Sequence, residues 1–130
     1  MDRVNSKIPL LPLQGSFARE FAQAWVEAWN EHDLEHIVSH YAEDVELRSL
    51  MAGKLLQGDG TVRGKAALRE YFALGLKAYP DLRFDLIDVL WGTETIVIYY
   101  ANNVRGTKTA EVMLLSDVGK IRRVWANYDE

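Results

Sequence analysis

Three histidines, His32, His36 and His40, stand four residues apart. Imidazoles at that spacing on one helix face could share a metal ion, with help from Asp33 or Glu43. Asp33, however, suits the N-cap of the helix that follows, which leaves His32 outside it. His36 and His40 then fall opposite Ile37 and Tyr41, so a solvated face is the better reading and no metal is expected. The chain has no cysteine, which excludes a disulfide framework, a thiolate metal site and a thiol nucleophile. No Ser-His-Asp order, phosphate-cradling glycine loop or dinucleotide fingerprint occurs, and the glycines at Gly58-Asp59-Gly60 precede no βαβ unit. No cofactor is expected. The residue with the most chemical promise is Glu111, an acid in a run of alternating apolar residues. Among apolar neighbours a carboxyl is costly to ionise and its pKa rises. The competing reading pairs Glu111 with Arg122 or Lys108 near the surface.

Two kinds of element must position these groups. Phe17, Phe21, Ala24, Trp25, Ala28 and Trp29 make one apolar stripe at helical spacing, with Arg19, Glu20, Gln23, Glu27 and Glu31 opposite and Ser16 as a suitable N-cap. Leu34, Ile37, Val38 and Tyr41 predict a second helix. Val45, Leu47 and Ser49 then alternate as one side of a strand. Residues 53–64 hold four glycines and read as a loop. A third helix carries Leu68, Tyr71, Phe72, Gly75, Leu76 and Tyr79 and stops at Pro80. Four strand-like runs follow, Leu82–Trp91, Thr95–Val104, Thr107–Leu115 and Lys120–Tyr128, joined by short turns that imply antiparallel neighbours. Helices first and a meander afterwards is an α+β pattern.

The 130 residues suffice for one domain, and 48% hydrophobic with 26% charged residues is the balance of a soluble globule. A net charge of −4 without a basic stripe argues against nucleic acid or an anionic membrane as partner. Ile8 to Leu13 is too short and too broken by proline for a signal or spanning segment. Residues 1–15 read as an extended arm, and the expected location is cytoplasmic.

If Arg105-Gly106 is a two-residue hairpin loop, Val104 pairs with Thr107, and Tyr100 sits opposite Glu111, Asn102 opposite Thr109 and Ile98 opposite Met113. A four-residue loop at residues 116–119 pairs Glu111 with Val124 and Thr109 with Ala126. One face then holds Ile98, Tyr100, Asn102, Thr109, Glu111, Met113, Val124, Ala126 and Tyr128. The other holds Val97, Tyr99, Ala101, Val112, Leu114, Ile121, Arg123 and Trp125. A one-residue slip exchanges the faces.

Three motifs carry a resemblance: Trp25 to Glu35 running into Ile37-Val38 and Tyr41-Ala42-Glu43-Asp44-Val45, then Arg63-Gly64 to Tyr71-Phe72, then Gly119-Lys120-Ile121 through Trp125 to Asp129. Over residues 16–130 the chain resembles the nuclear transport factor 2-like superfamily, in particular its SnoaL-like and ketosteroid-isomerase-like members. The resemblance implies a cone-shaped α+β barrel. Three N-terminal helices would pack on a strongly curved, mostly antiparallel sheet around one apolar pocket, often in a homodimer through the convex sheet face. It places Glu111 where such members keep a hydrogen-bonding carboxylic acid, and so makes the Glu111 face concave. It also places Ser49 at the family's general-base Asp, Trp25 at an oxyanion-hole Tyr, and Ala126 at a last-strand acid, which argues against a proton-abstracting isomerase.

The expected pocket has Glu111 as acid/base, with Tyr100 and Asn102 orienting a polar group. Trp25, Trp29, Tyr41, Ser49, Phe72, Met113, Val124 and Tyr128 would line it, although aromatics at helical spacing also serve as plain core. The ligand would be a small hydrophobic metabolite, transformed by a cofactor-free lyase, isomerase or hydrolase. The alternative is a non-catalytic ligand-binding or interaction module of the same fold. Tyr99, Ala101, Val112, Leu114, Ile121 and Trp125 would form the dimer face, unless Leu10–Leu13 folds over it.

Overall fold

A computed structural model describes residues 11–129. The elements run α1 (Gly15–Asn30), α2 (Leu34–Val38), β1 (Tyr41–Arg48), α3 (Leu50–Leu56), β2 (Thr61–Arg63), α4 (Lys65–Ala78), β3 (Phe84–Trp91), β4 (Thr95–Asn102), β5 (Thr107–Leu115) and β6 (Ile121–Tyr128). Six strands form one mixed, open sheet in the order β2-β1-β6-β5-β4-β3. All neighbours are antiparallel except β1 and β6. The expected α+β cone is present, as a sheet that bends around a core without closing.

The apolar stripe of α1 buries Phe21, Trp25, Ala28 and Trp29, while α4 buries Leu68 and Phe72. Together with the inner sheet face they form one core that includes Ile96, Ile98, Tyr100, Met113 and Val124. Each large aliphatic group buried here adds roughly 1.5–3 kcal/mol of transfer free energy, so these contacts outweigh any single hydrogen bond in holding the helices on the sheet.

Several expectations need correction. Among the described residues there are four helices. Residues 53–64, expected as loop, contain part of α3 and all of β2. Ser49 explains the extra helix: its hydroxyl accepts the Met51 and Ala52 amides and caps α3. Gly60 fits the returning chain against that cap, because at φ +89 its missing Cβ would lie 2.8 Å from the Ser49 carbonyl oxygen. The second helix ends at Val38, and Tyr41 begins β1 instead. The N-cap position of α1 is Gln14, not Ser16. The first helical residue, Gly15, lies under Trp91, whose ring a Cβ there would approach to 2.7 Å. Residues 1–10 of the expected arm lie outside the described residues.

The strand registers also shift, by two residues each. Asn102 pairs with Thr107, Ile98 with Glu111 and Tyr100 with Thr109. The β4–β5 loop is therefore four residues long, not two, closed by the Gly106 amide on the Asn102 carbonyl. In the next hairpin Glu111 pairs with Ala126, Thr109 with Tyr128 and Met113 with Val124. A shift of two keeps every side chain on its own face, so the inner set is as expected. Ile121 is the exception. An irregularity after Leu114 brings it opposite Leu115, and it is buried instead of standing on the outer face.

Candidate functional site

The inner face of β4, β5 and β6, the buried sides of α1 and α4, and α3 enclose a cavity of about 110 Å³. Glu111 projects into it from the middle of β5. Its partner across the ladder on β6 is Ala126, and that small side chain leaves open space beside the carboxyl. Tyr100 is a diagonal neighbour on β4, a separation that a long side chain can bridge. Its hydroxyl donates to Glu111 Oε2 at 2.6 Å. Lys108 and Arg122 are exposed, so the surface pairing is not formed.

Burial pushes the Glu111 carboxyl up to about 7, against a smaller downward pull from the Tyr100 hydroxyl. This is the range in which a carboxyl can both give and take a proton near neutrality. Burial, and after it the Glu111 charge, raises Tyr100 and Tyr41 far above the usual phenol range. Tyr128 is pushed up to about 12 by the same two causes. Tyr71 is also raised, first by burial, with Tyr128 and Glu111 contributing. Near neutral pH these four phenols are therefore neutral around one titrating acid.

Aromatic rings build the walls. Phe84 and Tyr100 are 4.2 Å apart between centroids, Trp29 and Phe72 are 4.8 Å, and Tyr41 and Phe72 are 5.4 Å. Trp25 donates its indole N–H to the Tyr41 hydroxyl at 3.0 Å. The Trp29 N–H is buried without a hydrogen bond of ordinary geometry, although it lies near enough to Tyr41 to help hold that hydroxyl's pKa down. The Trp29 N–H is thus a buried donor without a fully formed hydrogen bond. Ser49 and Tyr128 share a hydrogen bond of 2.7 Å at the α3 side. Asn102 Oδ1 accepts the Val104 amide and shapes the hairpin loop, which leaves its NH₂ to offer donors to the cavity.

Of the residues singled out in the sequence, Glu111, Trp25, Trp29, Tyr41, Ser49, Phe72, Tyr100, Asn102 and Tyr128 line this cavity. Met113 and Val124 do not. They lie further along the sheet, fully covered by the core. Sequence reasoning missed Met51 and Leu55 of α3, Leu82 and Phe84 before and within β3, and Tyr71 of α4 with Tyr79 at its C-cap. The last two were legible as part of the stripe Tyr71, Gly75, Tyr79. The first two could have been found from Ser49 standing before an apolar pair at i, i+4.

Among the described residues lining the cavity Glu111 is the only carboxylate, and none is a histidine. That donor set does not fit zinc, which takes three or four protein ligands. His36 lies elsewhere, on the surface with Glu31 and Asp33, and their ligand atoms are within 4.8 Å of one another. Asp33 is occupied there as the cap of α2, accepting the His36 amide. Among the described residues no helix is long and apolar enough to cross a membrane.

No curated protein matches the chain. A SnoaL-like protein of unknown function from Burkholderia thailandensis E264 is 33% identical, with a TM-score of 0.86 over 92% of this chain and 100% of that one. TerC, co-crystallised with polyporic acid, is 22% identical with a TM-score of 0.71, over 86% of this chain and 91% of its own. IdmH, a candidate polyketide cyclase from Streptomyces antibioticus, is 17% identical with a TM-score of 0.71 over the same shares. These last two show likeness of fold alone. The SnoaL-like domain pattern matches residues 22–125. With most of its length inside that match and a relative a third identical along its whole course, the chain belongs to the SnoaL-like domain family.

Proposed function

We propose that the chain binds a small hydrophobic metabolite in the cone and transforms it by proton transfer through Glu111. The observation that carries this reading is the Glu111 carboxyl, buried in an aromatic-lined cavity and held by Tyr100 at 2.6 Å. A buried acid with no compensating cation costs stability, and that cost is offset where the group serves a ligand. Tyr100 fixes the direction of the carboxyl, while the Asn102 side-chain amide offers donors to a ligand oxygen. The reaction belongs to the lyase, isomerase or hydrolase type. TerC, seen with polyporic acid, and IdmH, a candidate polyketide cyclase, support a small organic ligand in this fold.

The second reading is binding without catalysis. It is favoured by Ser49 and Trp25, whose polar atoms serve the α3 cap and the Tyr41 hydroxyl and have no part in chemistry. Mass spectrometry of an organic extract of the purified protein separates the two. A co-purifying molecule should be absent from a Gly75→Leu variant, in which the cavity is filled. Glu111→Gln should retain that molecule and fail to convert it. Conversion by the variant at an unchanged rate would remove Glu111 from the chemistry, and no conversion by the unmodified protein would leave binding alone.

We also propose that two copies pair through the outer sheet face. Leu90, Val97, Val112 and Trp125 form one row across β3 to β6, with Trp125 and Leu90 exposed. Soluble monomers rarely leave more than a few hundred Å² of contiguous apolar surface bare, and a twofold pairing of about 800 Å² per partner would cover it. The alternative cover is weakened by Leu13. It is buried in the main core, with its N–H on the Thr93 carbonyl at the β3–β4 turn.

A further inference from the structure

Among the described residues no cation pairs with the buried acid of the cavity. Tyr100 engages Glu111 at Oε2. A carboxylate accepts at both oxygens, so acceptor capacity is left for a ligand. The titratable groups that act with Glu111 across the cavity are phenols: Tyr41 of β1, Tyr71 of α4, Tyr100 of β4 and Tyr128 of β6. The described residues of α1, α3 and β3 bring no ionisable side chain to the lining. Arg105, exposed on the β4–β5 loop, acts on the Tyr128 hydroxyl, whereas the Glu111 carboxyl answers to burial and to Tyr100. Nine of the twenty described residues that line the cavity are aromatic. The electron-rich faces of such rings attract a cation and disfavour an anion.

Resting on the reading of the cavity as a site for a small hydrophobic molecule, we propose that this molecule is an organic cation, an amine on an apolar skeleton, whose ammonium group pairs with the Glu111 carboxylate among the aromatic walls. Each partner supplies what the other lacks in a buried site. Both charges lose hydration, and a pair joined by charge-assisted hydrogen bonds recovers what a lone buried charge cannot. A neutral ligand leaves the carboxyl either protonated or without a counter-ion. The unliganded carboxyl, at about 7, is divided between its two forms near neutrality. An adjacent ammonium favours the ionised form. Binding therefore expels a proton from part of the population and holds Glu111 in the state that can act as a base.

A matched pair of probes tests this: 1-naphthylmethylamine and 1-naphthalenemethanol, an ammonium against a hydroxyl on one skeleton, titrated calorimetrically into the protein. At pH 8 the amine should bind about tenfold more tightly, a ratio that one charge-assisted hydrogen-bonded pair supplies. At pH 5 the amine is still an ammonium but the carboxyl keeps its proton, and the advantage should vanish. Glu111→Gln should bring the amine down to the alcohol at pH 8, while the apolar walls still hold both. High ionic strength should leave most of the advantage in place, because a buried pair is screened far less than a surface one. Equal binding at pH 8 overturns the proposal while leaving the cavity reading intact. So does an advantage that survives Glu111→Gln or that salt erases. If neither probe binds, or both bind a Gly75→Leu variant as well as the unmodified protein, the cavity reading fails and the proposal with it.

Discussion

Tyr100 and Glu111 sit diagonally on adjacent strands, and the phenol hydroxyl donates to the carboxyl at 2.6 Å in a space walled by aromatic rings. The bond favours the ionised acid, while burial favours the neutral one, and burial is the larger effect. Tyr100→Phe removes the smaller, opposing influence. The Glu111 pKa should then rise above its present value of about 7. A carbon-detected NMR titration of the glutamate carboxyls would read this, and a fall would show that the hydrogen bond does not act as described.

The raised carboxyl also makes folding depend on pH. Folded Glu111 holds its proton up to about 7, whereas the unfolded chain releases it near 4.5. Between these values the native state binds more protons, so its stability falls as pH rises and levels off above the upper value. The gap corresponds to roughly 3 kcal/mol at most. Glu111→Gln has no such titration. Urea unfolding should show the variant gaining on the unmodified protein from pH 5 to pH 8, and parallel curves would contradict the burial of this group.

Gly75 faces the cavity from α4, and a Cβ added there would meet nothing within 4 Å. Leucine at this position enters the cavity without a backbone clash. It also replaces the poorest ordinary helix former, a gain of about 1 kcal/mol. Gly75→Leu should therefore raise the melting temperature by a few degrees and abolish ligand binding. A variant that is destabilised, or that binds as before, would misplace α4 relative to the site.

Ser49→Ala removes the cap of α3 and the partner of the Tyr128 hydroxyl at once. A cap contributes about 1 kcal/mol and a buried hydrogen bond a similar amount, so the loss should be about 1–2 kcal/mol. Hydrogen exchange should quicken most in residues 50–56. Uniform acceleration across the chain would mean that Ser49 supports the fold generally and not this helix.

Trp125→Glu puts a charge in the middle of the outer apolar row. Light scattering after size-exclusion chromatography should give a dimer for the unmodified protein and a monomer for the variant, with melting temperature little changed. A monomer in both cases would overturn the pairing.

Periodicity alone specified much of this protein. The stripe from Phe21 to Trp29 had only one apolar face to bury, and the alternation in β4, β5 and β6 assigned Tyr100, Asn102 and Glu111 to one side. Those assignments survived a register error because side chains repeat every two residues, and the error was two. Directly opposite and diagonal pairs differ only in turn length, which the Arg105-Gly106 dipeptide does not determine. Tertiary structure decided the rest. The glycines between Gly53 and Gly64 obscured α3, because beyond its local Ser49 cap the helix relies on Gly60 fitting against the Ser49 carbonyl, a contact made only once β1 and β2 pair. Ile121 left the outer face through a local irregularity that no period encodes. Met113 and Val124 share a face with Glu111, but the cavity ends before it reaches them, because how far helices stand off a sheet depends on the side chains of both layers together.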